Sequence, residues 1–394
     1  MKKLWLVIFL FFALQLGAFA QTGISFVYLN GSNMNDGKIN KWYKQGIKRF
    51  HPQMVEAFLD NPEAKQCFLK DGKYFIEESP ITFFWGDKNY NDKVVKNNYL
   101  SVSKGLIPRL ASQIRWTANN VLHDIIWIEN YNNMNLVLGD LHETVKAQSQ
   151  KGNKIVFYGY SSGSFVAYDY LLTRTPYINV ADFFSSVKAS KEKKDFAAQH
   201  PMGNTCMAAL LKDVAVYSAS GNLIINNDFS DFKKYYMNLN QETCDLCIPN
   251  NSVMGMVNIA SPLVLFHSDL SDPDFELTYY NRLLYKYILE NNMFWLTVNY
   301  REDPLSFPRG KNLTVEEIEK ITNLAIAPCG GFIYDQSNTH GGVLAMTHLR
   351  YLSTNKTLSK AVVKAYVDGY SHKYNGSYKQ KPLNKYRQKI DIRP

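Results

Sequence analysis

Residues 154–172 read KIVFYGYSSGSFVAYDYLL, an apolar run, two glycines around two serines, and a second apolar run. The first run, Ile155 to Tyr158, is continuous in the manner of a strand covered on both faces. The second, from Ser164 to Leu172, reads as a helix. Between them Gly159, Tyr160, Ser161, Ser162 and Gly163 spell G-x-S-x-G at a strand-to-helix turn. A turn this tight needs small residues two before and two after the serine, and it lifts the serine hydroxyl clear of the sheet beside a helix N-terminus. Ser161 is thus a candidate nucleophile, and the backbone N–H of Ser162 a candidate oxyanion donor. The competing reading is a glycine-lined structural turn.

A serine hydroxyl is a poor nucleophile until a base takes its proton, and the base needs a carboxylate to fix its tautomer. Downstream, the strand-like MFWLTVNY runs into REDPLSFP, which places Asp303 on a loop stopped by Pro304. Asp303 is the expected acid, with Glu302 as its rival and an ordinary Asp-Pro turn as the alternative. Further on, GFIYDQSNTHGG reads as a short strand entering a glycine-bearing loop, and His340 in that loop is the expected base. His348 lies in VLAMTHLRYL, a helical pattern in which histidine is more often packed or solvated. His51, His123, His142, His200, His267 and His372 read as structural or surface residues. The second oxyanion donor should come from an early loop, and YLNGSN after the first strand-like run offers the N–H of Gly31 or Ser32. A plain Asn30–Gly31 turn explains the same letters.

Other strand-like runs occur at GISFVYL, ITFFWGD, MGMVNIASPLVLF and NMFWLTVNY, with helical patterns between them. One such pattern, NMNLVLGDLHETVKAQSQKG, closes on Gly152 as a C-cap. The alternation predicts an α/β fold with a mainly parallel sheet flanked by helices. From about 175 to 254 it weakens into lysine-rich and polar sequence, expected to be a lid-like insertion within a single domain.

The first 20 residues, with Lys2 and Lys3 ahead of an apolar run and small residues near Ala20, read as a signal peptide. Export, to the periplasm or outside the cell, is the corresponding expectation. With 46% hydrophobic residues the remainder can build a core, which excludes general disorder. The net charge of +9 is spread widely and clusters only in the tail 377–394. No nucleic-acid-binding motif accompanies it. The five cysteines are Cys67, Cys206, Cys244, Cys247 and Cys329. Their pairing is not legible, and the CDLC at Cys244 reads as a structural disulfide in polar loop sequence rather than a redox or zinc motif. In SDLSDPDFE, Asp272 is a natural N-cap followed by Pro273, which accounts for the acids without a metal. No metal or cofactor is expected.

These residues resemble the α/β-hydrolase superfamily, and within it the lipase-like serine esterases. VFYGYSSGS is similar to their nucleophile turn, NIASPL to the strand ending in Ser-Pro that follows it in fungal-type triacylglycerol lipases, and VNYREDPLSFP to their acid-bearing strand and loop. The likeness covers roughly half the chain. Those lipases usually carry histidine before the serine and glycine after the last glycine, where this chain has Tyr160 and Ser164. The early YLNGSN looks more like the His-Gly oxyanion loop of other hydrolases, with asparagine first. The resemblance implies an α/β-hydrolase fold, Ser161 as nucleophile, Asp303 as acid and His340 as base. It also implies an ester or lipid-like substrate, with peripheral contact to a lipid surface and no nucleic acid. A peptidase, thioesterase or deacetylase would use the same machinery, and a binding protein could keep the fold without turnover. Oligomeric state is not legible in the sequence.

Overall fold

A computed structural model describes residues 21–32, 37–86, 124–128, 131–174, 252–263, 291–306, 331–338 and 355–375, with shorter pieces between them that include 178–179, 204–205, 215–217, 223–225, 248–249, 284, 287–289, 329, 348 and 351. Residues 1–20, expected to be a signal peptide, the tail 377–394, the acidic stretch at Asp272, Cys206, Cys244 and Cys247 lie outside the described residues, as does most of the stretch 175–254 expected to be an insertion.

The predicted α/β class holds. β1 (Thr22–Leu29), β2 (Tyr74–Ile76), β3 (Ile81–Phe83) and β4 (Lys154–Tyr160) join three later strands in one seven-stranded sheet. Two two-stranded ribbons intervene in the chain, β5 (Ile178–Asn179) with β6 (Asn204–Thr205), and β7 (Ala215–Tyr217) with β8 (Leu223–Ile225). The sheet then continues with β9 (Val253–Ile259), β10 (Phe294–Tyr300) and β11 (Phe332–Asn338). Its order is β11-β10-β9-β4-β1-β2, with β3 also paired to β1, and every pairing is parallel. From β1 the chain moves to the β2 and β3 edge, whereas from β4 it moves the opposite way to β9. The crevice of a parallel sheet opens where the order reverses, outside the carboxyl ends of the two strands concerned. Here those ends are Leu29 and Tyr160.

Strand residues alternate between two cores. Phe26, Tyr28, Val156, Tyr158, Tyr160, Leu296 and Val298 pack on one face under α1 (Gly37–Asp60) and the last helix, α5 (Asn355–Asn375). Val27, Leu29, Ile155, Phe157 and Trp295 pack on the other, under α3 (Tyr131–Gln150) and α4 (Gly163–Thr173). α4 is buried along almost its whole described length and shows no hydrophilic face, as its sequence requires of a helix in the middle of a molecule. α3 ends as expected, with Gly152 at φ +78 just beyond it. α1 was not legible, because Pro52 interrupts a pattern that nonetheless buries Tyr43, Ile47, Phe50, Met54 and Phe58 along one stripe.

Cys67, at the end of the short helix α2 (Pro62–Cys67), is joined to Cys329 by a disulfide that closes a sequence separation of 262 residues. Cys329 lies just before β11, so the bond ties an early helix to the last strand of the sheet. Replacing both cysteines by serine should lower the unfolding free energy by about 2–5 kcal/mol, read as the fall in denaturation midpoint against untreated protein.

Candidate active site

The turn after β4 is built by exclusion. A Cβ added to Gly159 would lie 2.7 Å from the Ser164 Cα, and one added to Gly163 would strike the carbonyl oxygens of Leu29 and, at 2.7 Å, Asn30. Only glycine lets the end of β1 and the start of α4 approach this closely. Ser161 sits between them in the left-handed region, at φ 53. That conformation costs a non-glycine residue about 1–3 kcal/mol, and local hydrogen bonds hold it. Ser161 N–H donates to Ile259 O at 2.9 Å, and Ser161 O accepts from Ser164 N–H at 3.0 Å and from the Ser164 hydroxyl at 2.6 Å. The Ser164 hydroxyl in turn accepts from that of Ser261 at 2.8 Å.

The imidazole that meets Ser161 belongs to His348. Its Nε2 lies 3.0 Å from Ser161 Oγ. Its Nδ1 lies 3.0 and 2.9 Å from the two carboxylate oxygens of Asp303. A carboxylate only accepts, so the proton is on Nδ1 and Nε2 is left to accept from the serine hydroxyl. The Asp303 side chain is fully buried and that of His348 is 12% exposed. Asp303 is seated by Leu305 N–H, which donates to Oδ1 at 2.9 Å. Asp303 therefore stands where the sequence reading put it, on the loop after β10.

The place expected for His340 is held, among the described residues, by another histidine. His340 lies outside the described residues, and the position against Ser161 is taken by His348, the histidine that the sequence reading assigned to a packed or solvated helix. Both follow β11 in the chain. Local pattern favoured the glycine-bearing loop, whereas the choice between them is made by which side chain reaches across the sheet end. Nothing in the local sequence of His348 marked it; near it in the structure, Tyr351 is fully buried and accepts a hydrogen bond from Tyr300 N–H at 2.6 Å, next to the Asp303 loop.

The early loop is where expected. Asn30 is buried. Its Oδ1 accepts from Trp85 N–H at 3.0 Å, its carbonyl accepts from the Trp85 indole at 2.6 Å, and its amide donates to Gly31 O at 2.9 Å. These bonds press Gly31 against the turn, so that a Cβ there would fall 2.9 Å from that of Ser161. Ser32 follows, its hydroxyl 2.7 Å from that of the buried Ser162. Among the described residues no backbone acceptor meets the N–H of Gly31, Ser32 or Ser162. Among the same residues no cluster of metal-binding side chains occurs. A separate open cleft of about 720 Å³ lies along α1, lined by Lys41, Lys44, Lys48 and Thr82, and contains none of the residues above. Comparison with protein families, with curated proteins and with solved structures finds no match to this chain.

The arrangement can move a proton from Ser161 to His348 while a buried carboxylate faces the resulting cation, and it offers N–H groups to a developing oxyanion. Its backbone demands are testable. Gly163→Ala should destabilise by about 3 kcal/mol through overpacking against β1. Gly139→Ala in α3, where an added Cβ meets nothing within 4 Å, should stabilise by about 0.5–1 kcal/mol. Urea denaturation of both variants measures the contrast.

Proposed function

We propose that the protein is a serine hydrolase of carboxylic esters with an α/β-hydrolase fold. The observation that carries this is the continuous Ser161–His348–Asp303 hydrogen-bond chain, with Nε2 at 3.0 Å from Oγ. A hydrolase-fold binding protein would have no need of that contact. Support also comes from the chain order serine, acid, histidine and from the turn between β4 and α4.

In the proposed reaction Ser161 Oγ attacks the ester carbonyl carbon as its proton passes to His348 Nε2, and the carbonyl π electrons move onto oxygen. The N–H groups of Ser162 and of Gly31 or Ser32 receive that oxyanion. Collapse breaks the bond to the alkoxy group, which leaves with the proton from His348. Water then attacks the acyl-enzyme, giving its proton to His348, and the second collapse releases the acid and restores Ser161. Asp303 keeps its hydrogen bond to Nδ1 throughout. Lipid-like acyl esters are the proposed substrate class, on the resemblance of the sequence to lipases. Export through the N-terminal segment is proposed with it, in keeping with the disulfide, which belongs to an oxidising compartment.

A fluorophosphonate probe tests this reading, because only an activated serine reacts quickly. Wild type should label, Ser161→Ala should not, and Ser162→Ala should keep its labelled serine. His348→Ala and Asp303→Asn should slow labelling by about 10⁴-fold, whereas His340→Ala should stay near wild type. Folded wild type that never labels, with or without detergent, would sink the enzyme reading. Loss of labelling in His340→Ala but not in His348→Ala would overturn the assignment of the base.

A further inference from the structure

Besides Ser161 and Asp303, which take part in the reaction above, His348 meets a third side chain that does not, Tyr160. We propose that Tyr160 is the positioning residue of the histidine, fixing both its main chain and the plane of its ring. The inference rests on the serine-hydrolase reading.

Tyr160 is the last residue of β4 and immediately precedes Ser161. Its hydroxyl donates to the main-chain oxygen of His348 at 2.5 Å. Its ring lies against the imidazole, with centroids 5.7 Å apart and planes at 29°. One side chain thus joins the strand that carries the serine to the residue that must meet it. Asp303 alone does not set that geometry, because a hydrogen bond at Nδ1 leaves the ring free to turn about the bond axis. A stacked face removes that freedom, and the bond to the carbonyl fixes the point from which the side chain springs.

Tyr160 is itself locked. It is buried, with the rings of Tyr43 and Tyr351 at 6.1 and 6.3 Å. The Tyr43 hydroxyl donates to Leu29 O at 3.1 Å, and the Tyr351 oxygen accepts from Tyr300 N–H at 2.6 Å. The main chains of β1 and β10 thus anchor the two tyrosines that flank Tyr160 of β4. Burial, and then the nearby Asp303 charge, push the Tyr160 pKa up, so its hydroxyl stays a neutral donor.

Tyr160→Phe keeps the ring and removes the hydroxyl, and Tyr160→Leu removes both. The maximal rate of fluorophosphonate inactivation reports serine activation, and the half-saturating probe concentration reports binding. Tyr160→Phe should lower the maximal rate about tenfold with binding within twofold, the size of one hydrogen bond. Tyr160→Leu should lower it about 100-fold, as a misplaced base does. Tyr28→Phe, which loses a buried hydroxyl 2.9 Å from His51 Nδ1 on the same core face, is the control for general loosening and should inactivate at the wild-type rate. The inference is overturned if Tyr160→Phe inactivates as fast as wild type. It is also overturned if only binding changes, or if Tyr28→Phe slows inactivation equally. Wild type that never reacts overturns the hydrolase reading itself, and the role of Tyr160 with it.

Discussion

Between the carbonyl oxygen of Leu29 and the α-carbon of Gly163 there is space for a hydrogen and nothing larger. That approach brings the end of β1 and the start of α4 together, and the rest of the site is arranged around it. It places Gly31 beside Ser161, and it leaves the serine, in a left-handed conformation, above the sheet end. The strain at Ser161 is tolerated because its carbonyl and N–H are both held, by Ser164 and by Ile259.

The same reversal of strand order that opens the crevice distributes the labour. One core face sends helix α4 away from the serine, and its burial gives the turn a rigid base. The other face is unusually aromatic. Tyr28, Tyr43, Tyr158, Tyr160 and Tyr351 are all buried there, several with hydroxyls that satisfy main-chain or histidine partners. Tyrosine suits this place because it supplies apolar area to the core and a polar tip at its edge. Phenylalanine would pack equally well and would take from carbonyls such as His348 O the donor that tyrosine gives them.

Legibility followed how local each signal was. The turn at Ser161 could be read because its demands fall on neighbouring residues, where two glycines and the flanking apolar runs state them together. Asp303 could be read because a strand, a carboxylate and a proline stand in succession. The loop at Gly31 and Ser32 was legible as a place, although the bonds from Asn30 to Trp85 that shape it cross 55 residues. Helix α1 was hidden by Pro52, whose local cost is outweighed by the apolar stripe buried on either side of it. The Cys67–Cys329 pairing was not legible, since sequence fixes the number of thiols and not which of them the fold brings within reach.

By itself the sequence determined the α/β class, the parallel strands, and the positions of the serine, the acid and the early loop, because each follows from periodicity or steric need within a dozen residues or so. Only the tertiary structure decided which histidine stands opposite the serine. His340 and His348 share the stretch after β11, and nothing in their immediate neighbours measures the distance to β4. In the fold the imidazole of His348 meets Ser161 while Asp303 and Tyr160 hold it, contacts made by residues 45 and 188 positions away in the chain.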